Sequence, residues 1–150
     1  MKAIKHGQCE SSAQKKALAL SDTLINELKQ ADTIVIGMPL YNLTAPSVFH
    51  SYIDYILRTG VTFRYTKQGL VGLLDNKSVY ILCARVGVFL SDNIHMDTQT
   101  PWLKNILGFI GFSSIQFIYA EGLGMGEEVA AEKSSHAKDI ISKLFTGEKY

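Results

Sequence analysis

The sequence predicts an α/β domain built around a mostly parallel sheet, because short runs rich in β-branched residues alternate with stretches of helical period along most of its length. Three runs, Thr33 to Met38, Ser78 to Ala84 and Ser114 to Ala120, read as strands, and the first is an unalternating apolar stretch, the pattern of a strand covered on both faces. Each is followed by a loop and then by an apolar stripe at helical spacing, the order that a right-handed crossover requires. With 150 residues, 47% of them hydrophobic and 19% charged, the chain can bury one continuous core and reads as one domain over 1–150.

The elements follow in order. Ser11-Ser12-Ala13-Gln14 has the spacing of a capping box, and Ala17, Leu20, Leu24, Ile25 and Leu28 then give a helix over roughly 12–30. Asp32 breaks it, the first strand follows, and Pro39 ends that strand. Thr44 and Pro46 suit a helix start, with Phe49, Ile53, Ile56 and Leu57 on one face up to Gly60. Val61, Phe63 and Tyr65 alternate with polar residues in a short extended arm that turns at Lys67-Gln68-Gly69. After the second strand, Thr100-Pro101 opens a helix through Leu103, Ile106, Leu107 and Ile110, stopped at Gly111. The third strand follows, and after a glycine-rich loop a last helix begins at the acidic pair Glu127-Glu128 and runs to Gly147. Three strands are few for four helices, and a leading helix in such folds normally follows a strand. A first strand is therefore expected to be missing from the front.

Charge and cysteines narrow the function. Fifteen Lys and Arg against fourteen Asp and Glu leave a net charge of +1, so no basic field exists for nucleic acid or an anionic membrane surface. The two cysteines, Cys9 and Cys83, lie far apart, which argues against a disulfide framework or a thiolate zinc site and for a reducing, cytoplasmic setting. No apolar run approaches the roughly 18 residues of a membrane span, and Met1 to Gly7 lack the apolar stretch of a secretion signal.

In open α/β sheets ligands bind at the carboxyl ends of the strands, which singles out the loops Pro39 to Leu43, Arg85 to Ser91 and Glu121 to Gly126. Tyr41 and Asn42 could offer an aromatic surface and amide hydrogen bonds to a flat heterocycle, and Arg85-Val86-Gly87 a cation and a close backbone approach. On residue types alone an ordinary turn at each place fits better. Gly122, Gly124 and Gly126 suggest a phosphate cradle, but their spacing is neither G-x-G-x-x-G nor a P-loop and Glu121, Glu127 and Glu128 would repel an anion, so a flexible turn is expected. Ser91, Asp92 and His95 crowd one loop, whereas a hydrolytic triad converges from separate elements. His6, His50, His95 and His136 are scattered, and His50 with Asp54 reads as a solvated pair rather than half a metal site. Trp102, Phe109 and Phe112 read as core or subunit contacts. No catalytic side chain and no metal ligand emerge.

Taken together, Thr33-Ile34-Val35-Ile36-Gly37-Met38-Pro39-Leu40-Tyr41-Asn42-Leu43, Arg58-Thr59-Gly60-Val61-Thr62-Phe63-Arg64-Tyr65-Thr66, Leu107-Gly108-Phe109-Ile110-Gly111-Phe112 and Ala120-Glu121-Gly122 closely resemble the FMN-dependent NADH-azoreductase family. Its members are flavodoxin-like NADH:quinone oxidoreductases, formerly labelled acyl carrier protein phosphodiesterases, and the match runs from about Ala17 to the C-terminus. The resemblance implies a homodimer with FMN near the subunit interface, reducing quinones and azo compounds with NADH in a ping-pong cycle. By position it places flavin contacts on Leu40, Tyr41, Asn42 and Leu43 and on Ala84, Arg85, Val86 and Gly87, with the arm at Phe63 to Tyr65 shaping the substrate cavity.

Three departures from the family pattern set further expectations. The family's first strand, its serine-bearing phosphate loop, the following helix and the second strand have no counterpart in this sequence, so phosphate anchoring should be lost. Ala84 stands where the family has a serine and Val86 where it has a glycine, which points to weaker flavin contact. In the order 2-1-3-4-5 the strand at Thr33 would pair with the absent first strand, so its edge should lie open and favour association beyond the family dimer or poor solubility. The rival reading is a non-catalytic paralogue acting only as a dimerisation or interaction partner. Hydrolysis of phosphopantetheine, suggested by the old label, finds no constellation to support it.

Overall fold

The computed structural model describes residues 11–91 and 93–146. His6, Cys9, Asp92 and the expected helix end at Gly147 lie outside the described residues. The order is α1 (Ser12–Gln30), β1 (Thr33–Pro39), α2 (Ser47–Ile56), β2 (Phe63–Thr66), β3 (Gly69–Gly72), β4 (Ser78–Ala84), a 3-10 turn (Ile94–Met96), α3 (Gln99–Phe109), β5 (Ser114–Ala120) and α4 (Glu127–Thr146). The three long strands form a parallel sheet ordered β1-β4-β5, and β2 and β3 form a separate antiparallel pair. The chain thus has the α/β, flavodoxin-like architecture expected of it. Among the described residues no helix is long and apolar enough to cross a membrane.

The local chemistry explains each boundary. α1 starts with the expected capping box: the Ser11 hydroxyl accepts the N–H of Gln14, and the Gln14 side chain accepts the N–H of Ser11. Its inward face differs from the expected one, since Ser21, Ile25 and Leu28 are buried while Leu20 is exposed. The reason is polar. Ser21 Oγ donates to the Tyr55 carbonyl at 2.7 Å and accepts from Arg58 Nη1 at 3.1 Å, and Arg58 also pairs with Asp22. α2 stops at Ile56 rather than reaching Gly60, because Thr62 Oγ1 donates to the Ile56 carbonyl at 2.7 Å and accepts the Arg58 N–H at 3.0 Å.

The arm expected at 61–66 is one half of a hairpin, with Phe63 opposite Gly72 and Thr66 opposite Gly69. β1 departs from its apolar reading. Thr33, Val35 and Gly37 are exposed while Met38 is buried, because β1 is an edge strand and the described residues cover only one of its faces.

The chain divides into two compact units. The described residues of Met1–Ile34, Ser47–Val79 and Trp102–Ile115 make the first, and Val35–Pro46, Tyr80–Pro101 and the described residues of Gln116–Tyr150 make the second. The first unit packs Ile25, Ile56, Leu74, Leu103, Leu107 and Ile110, each nearly or fully inaccessible. It also contains a place where two backbones touch: a Cβ on Gly72 would lie 2.2 Å from the backbone N of Gly111. Close by, the Leu74 N–H donates to the Ile110 carbonyl at 2.8 Å. The second unit packs Met38, Ile81, Cys83 and Ile118.

Candidate functional site

Both segments expected to form a site lie in the second unit, at the carboxyl ends of the adjacent strands β1 and β4. The Leu40 N–H donates to the Ala84 carbonyl at 3.1 Å, which ties one segment to the other.

The first segment is a tight turn. Tyr41 and Thr44 exchange both backbone hydrogen bonds at 3.0 Å, and Asn42 and Leu43 between them have φ of 50° and 66°. Two successive left-handed residues define a type I′ turn, which Asn tolerates and Leu does not favour. The Tyr41 ring is 59% exposed, and Asn42 is exposed with it. Among the described residues, no acceptor takes the N–H of Asn42 or of Leu43.

In the second segment Ala84 and Val86 are exposed and Gly87 half-buried, whereas Arg85 is buried. The cation read from the sequence therefore points inward. Arg85 Nη1 donates to Asp97 Oδ2 at 3.0 Å and to Glu121 Oε1 at 3.1 Å; Nη2 donates to Thr100 Oγ1 at 2.9 Å and reaches Gln99 Oε1 at 3.4 Å. Its guanidinium carbon also lies 4.7 Å from the centre of the Tyr119 ring. Burial alone would weaken the Arg85 cation, but Asp97 and Glu121 outweigh it and hold its pKa above the ordinary value. Burial likewise works against the Asp97 carboxylate, yet the Thr100 hydroxyl, the Thr100 N–H and the Arg85 guanidinium together hold its pKa below the usual range. Thr100 Oγ1 stands 3.0 Å from the Tyr119 hydroxyl and completes the cluster.

Glu121 serves two purposes. It pairs with Arg85, and its two oxygens accept the N–H groups of Phe89 and Leu90 at 3.2 Å each, shaping the loop after β4. The glycine loop after it is neither a phosphate cradle nor slack. The N–H groups of Gly122, Leu123 and Gly124 donate to the carbonyls of Gly87, Arg85 and Val86 at 2.9, 3.0 and 3.0 Å. A Cβ on Gly124 would fall 2.4 Å from Val86 Cγ1, so a side chain there would have to displace that of Val86. With the carbonyls of residues 85–87 taken, the N–H groups of Val86 and Gly87 are left without an acceptor among the described residues.

Elsewhere, Ser91 and His95 are exposed, His95 within the 3-10 turn. His50 lies against Trp102, ring centres 4.3 Å apart, rather than in a solvated pair with Asp54. Among the described residues no three His, Cys, Asp or Glu side chains gather as metal ligands.

Sequence reading missed Asp97, Thr98, Gln99 and the structural role of Glu121. A signal for the last of them was present. Arg85 and Glu121 each occupy the first position after a parallel strand, which sets opposite charges side by side at adjacent strand ends. The Arg85 N–H donates to the Ala120 carbonyl at 2.9 Å in that same register.

Two exposed loops thus stand at neighbouring strand ends over a buried ionic base, and the carboxyl ends of the strands are where open α/β sheets bind ligands. A family model described as "Flavodoxin-like fold" matches residues 2–144. Over 140 residues the chain is 45% identical to an FMN-dependent NADH:quinone oxidoreductase of Haemophilus influenzae (strain PittEE), covering 93% of this chain and 70% of the relative. The azoreductase from Bacillus anthracis str. Sterne superposes with a TM-score of 0.80 at 32% identity, over 95% of this chain and 71% of that one. A second structure, an FMN-dependent NADH-azoreductase from Bacillus anthracis str. Ames Ancestor in complex with FMN, gives a TM-score of 0.80 at 27% identity, covering 95% and 70%. The chain belongs to the flavodoxin-like family of FMN-dependent NADH:quinone oxidoreductases and azoreductases, as its motifs indicated.

Proposed function

We propose that this chain binds FMN at the ends of β1 and β4 and takes part in NADH-dependent, two-electron reduction of quinones and azo compounds, as a cytoplasmic homodimer. The observation that carries the reading is the pairing of the Tyr41–Thr44 turn with the 84–87 loop in a chain 45% identical to an FMN-dependent NADH:quinone oxidoreductase. The residues present suit a flavin ring. Tyr41 and Val86, 59% and 73% exposed, offer apolar surface to a flat heterocycle, and the N–H groups of Asn42, Leu43, Val86 and Gly87 offer donors to its carbonyl edge. Glycine loop 122–126 does not suit the phosphate, since four of its amides already donate within the protein.

Held there, FMN would supply two-electron carrier chemistry between NADH and a quinone or azo acceptor, in a ping-pong order. The protein's part is to orient and shield. The 40–43 turn and the 84–87 loop would hold the ring, and Arg85 supports the second loop from beneath. Titration of the purified chain with FMN, followed by flavin fluorescence and the visible spectrum, tests this. Saturable binding near one flavin per chain, with NADH-dependent quinone reduction, is expected. Absence of binding at high micromolar FMN overturns the enzyme reading for this chain alone and favours the non-catalytic interaction partner.

A further inference from the structure

We infer that Gln99 is the positioning residue of the flavin-contacting turn, an assignment that rests on the proposed FMN site. Gln99 is completely buried in the first turn of α3, and its side-chain amide reaches back to the other loop. Nε2 donates to the Pro39 carbonyl at 2.8 Å and to the Thr44 carbonyl at 3.1 Å, the residues that bracket the turn. On its far side Oε1 faces Arg85 Nη2 at 3.4 Å. Two carbonyls can only accept and a guanidinium can only donate, so a single orientation of the amide satisfies all three neighbours. Arg85 therefore sets which end of Gln99 faces the turn. Adjacent Thr98 adds a hydrogen bond from its hydroxyl to the Leu43 carbonyl.

The turn needs this support. Asn42 and Leu43 both hold positive φ, a conformation that asparagine tolerates and that is strained for leucine. A glycine after Asn42 would make the turn self-sufficient, since Asn-Gly is the preferred type I′ pair; leucine does not. With the carbonyls of Pro39, Leu43 and Thr44 held from residues 98 and 99, the Tyr41 ring, the Asn42 amide and the N–H groups of Asn42 and Leu43 are what the turn shows to a ligand. Gln99 need not touch that ligand to decide the angle at which these groups meet it.

The test uses Gln99→Met, which keeps the volume and removes both donors, with Gln99→Glu as a second variant should the first fail to fold. Amide hydrogen exchange at Tyr41 and Thr44 reads the turn directly, with or without flavin. A loss of protection of at least tenfold is expected, confined to this segment, with exchange in α4 unchanged. Adding Leu43→Gly to Gln99→Met is expected to restore the protection, a rescue that a general packing defect would not show. Where the wild-type chain binds FMN, the Gln99 variants are expected to bind it at least tenfold more weakly. Unchanged protection, or failure of the glycine to restore it, overturns the inference; so does unaltered FMN affinity in a variant whose turn has loosened. Loss of protection in a chain whose wild type binds no FMN overturns the flavin reading instead and leaves the positioning of the turn standing.

Discussion

Arg85 Nη1 lies 3.0 Å from Asp97 Oδ2, and both side chains are almost wholly removed from water. A buried pair of this kind resists the loss of either partner, because the remaining charge has no solvent to fall back on. Here a second carboxylate, Glu121, shares the guanidinium, and through it Arg85 joins the helix start at 97–100 to the loop after β4.

Asp97→Asn is expected to destabilise the chain at pH 7 by about 3 kcal/mol, the loss typical of breaking a buried pair. The sign of the pH effect follows from the depressed pKa of the folded Asp97 carboxyl. An unfolded aspartate takes up its proton near pH 3.9, whereas the folded one resists protonation to lower pH. The unfolded chain therefore binds more protons in that window. Asp97 contributes fully above the unfolded value, and its contribution fades as pH falls through it toward the folded value. Urea midpoints measured from pH 7 to pH 2.5 are expected to fall less steeply below pH 4 for Asp97→Asn than for wild type, the two curves converging at the acid end. Parallel curves would remove Asp97 as a source of acid lability.

Gly72→Ala is expected to cost about 3 kcal/mol or more, a large penalty for one methyl group. The added carbon would sit 2.2 Å from the backbone N and 2.3 Å from the Cα of Gly111, and backbone cannot step aside as a flexible side chain can. Gly111 itself has a φ of 112°, open to glycine and strained for other residues. Gly69→Ala makes the comparison: its φ of 119° is strained too, but no atom lies within 4 Å of the added carbon. Thermal unfolding of both variants compares strain without collision at Gly69 with collision at Gly72, where no positive φ adds strain, and a negligible loss for Gly72→Ala would show that the close approach contributes nothing.

These contacts explain how much the sequence could reveal. Strand and helix positions were legible because periodicity and capping residues act locally: the box at Ser11 and Gln14 and the bounds of β4 and β5 are where the pattern placed them. The family was legible through stretches that prove largely structural. In Arg58 to Thr66, Thr62 closes the end of α2 and Arg58 clamps α1; in Leu107 to Phe112, Gly111 meets Gly72. What stayed hidden depends on side chains that meet only after folding. The burial of Ser21 in place of Leu20 needs the Tyr55 carbonyl 34 residues away, and the inward turn of Arg85 needs Asp97 and Glu121. Gln99 is invisible in sequence for the same reason, since nothing local distinguishes a buried glutamine spanning 60 residues to the Pro39 carbonyl from a solvated one.

Cys83 is buried in β4, and its thiol is pushed up to about 11, by burial first, with the Arg85 cation only partly opposing that rise. A thiol so held carries almost no thiolate at neutral pH and is a poor nucleophile. Alkylation at pH 7.5, followed on the Cys83 peptide by mass spectrometry so that Cys9 does not interfere, is expected to proceed only in urea. The same shift makes Cys83 an alkaline liability. In the unfolded chain an ordinary thiol ionises near pH 8.5, so above that value the unfolded state releases a proton that the native state keeps. The native state then binds more protons, and stability falls as pH rises toward about 11. The slope attributable to this one group is roughly 1 kcal/mol per pH unit between pH 9 and pH 10. Cys83→Ala should lose stability at neutral pH through the small cavity it leaves, yet show a shallower decline between pH 8.5 and pH 10. A decline as steep in Cys83→Ala as in wild type would place the alkaline sensitivity on other groups, of which Tyr52, raised to about 12 by its burial and by Glu27, is the first to examine by the same comparison with phenylalanine.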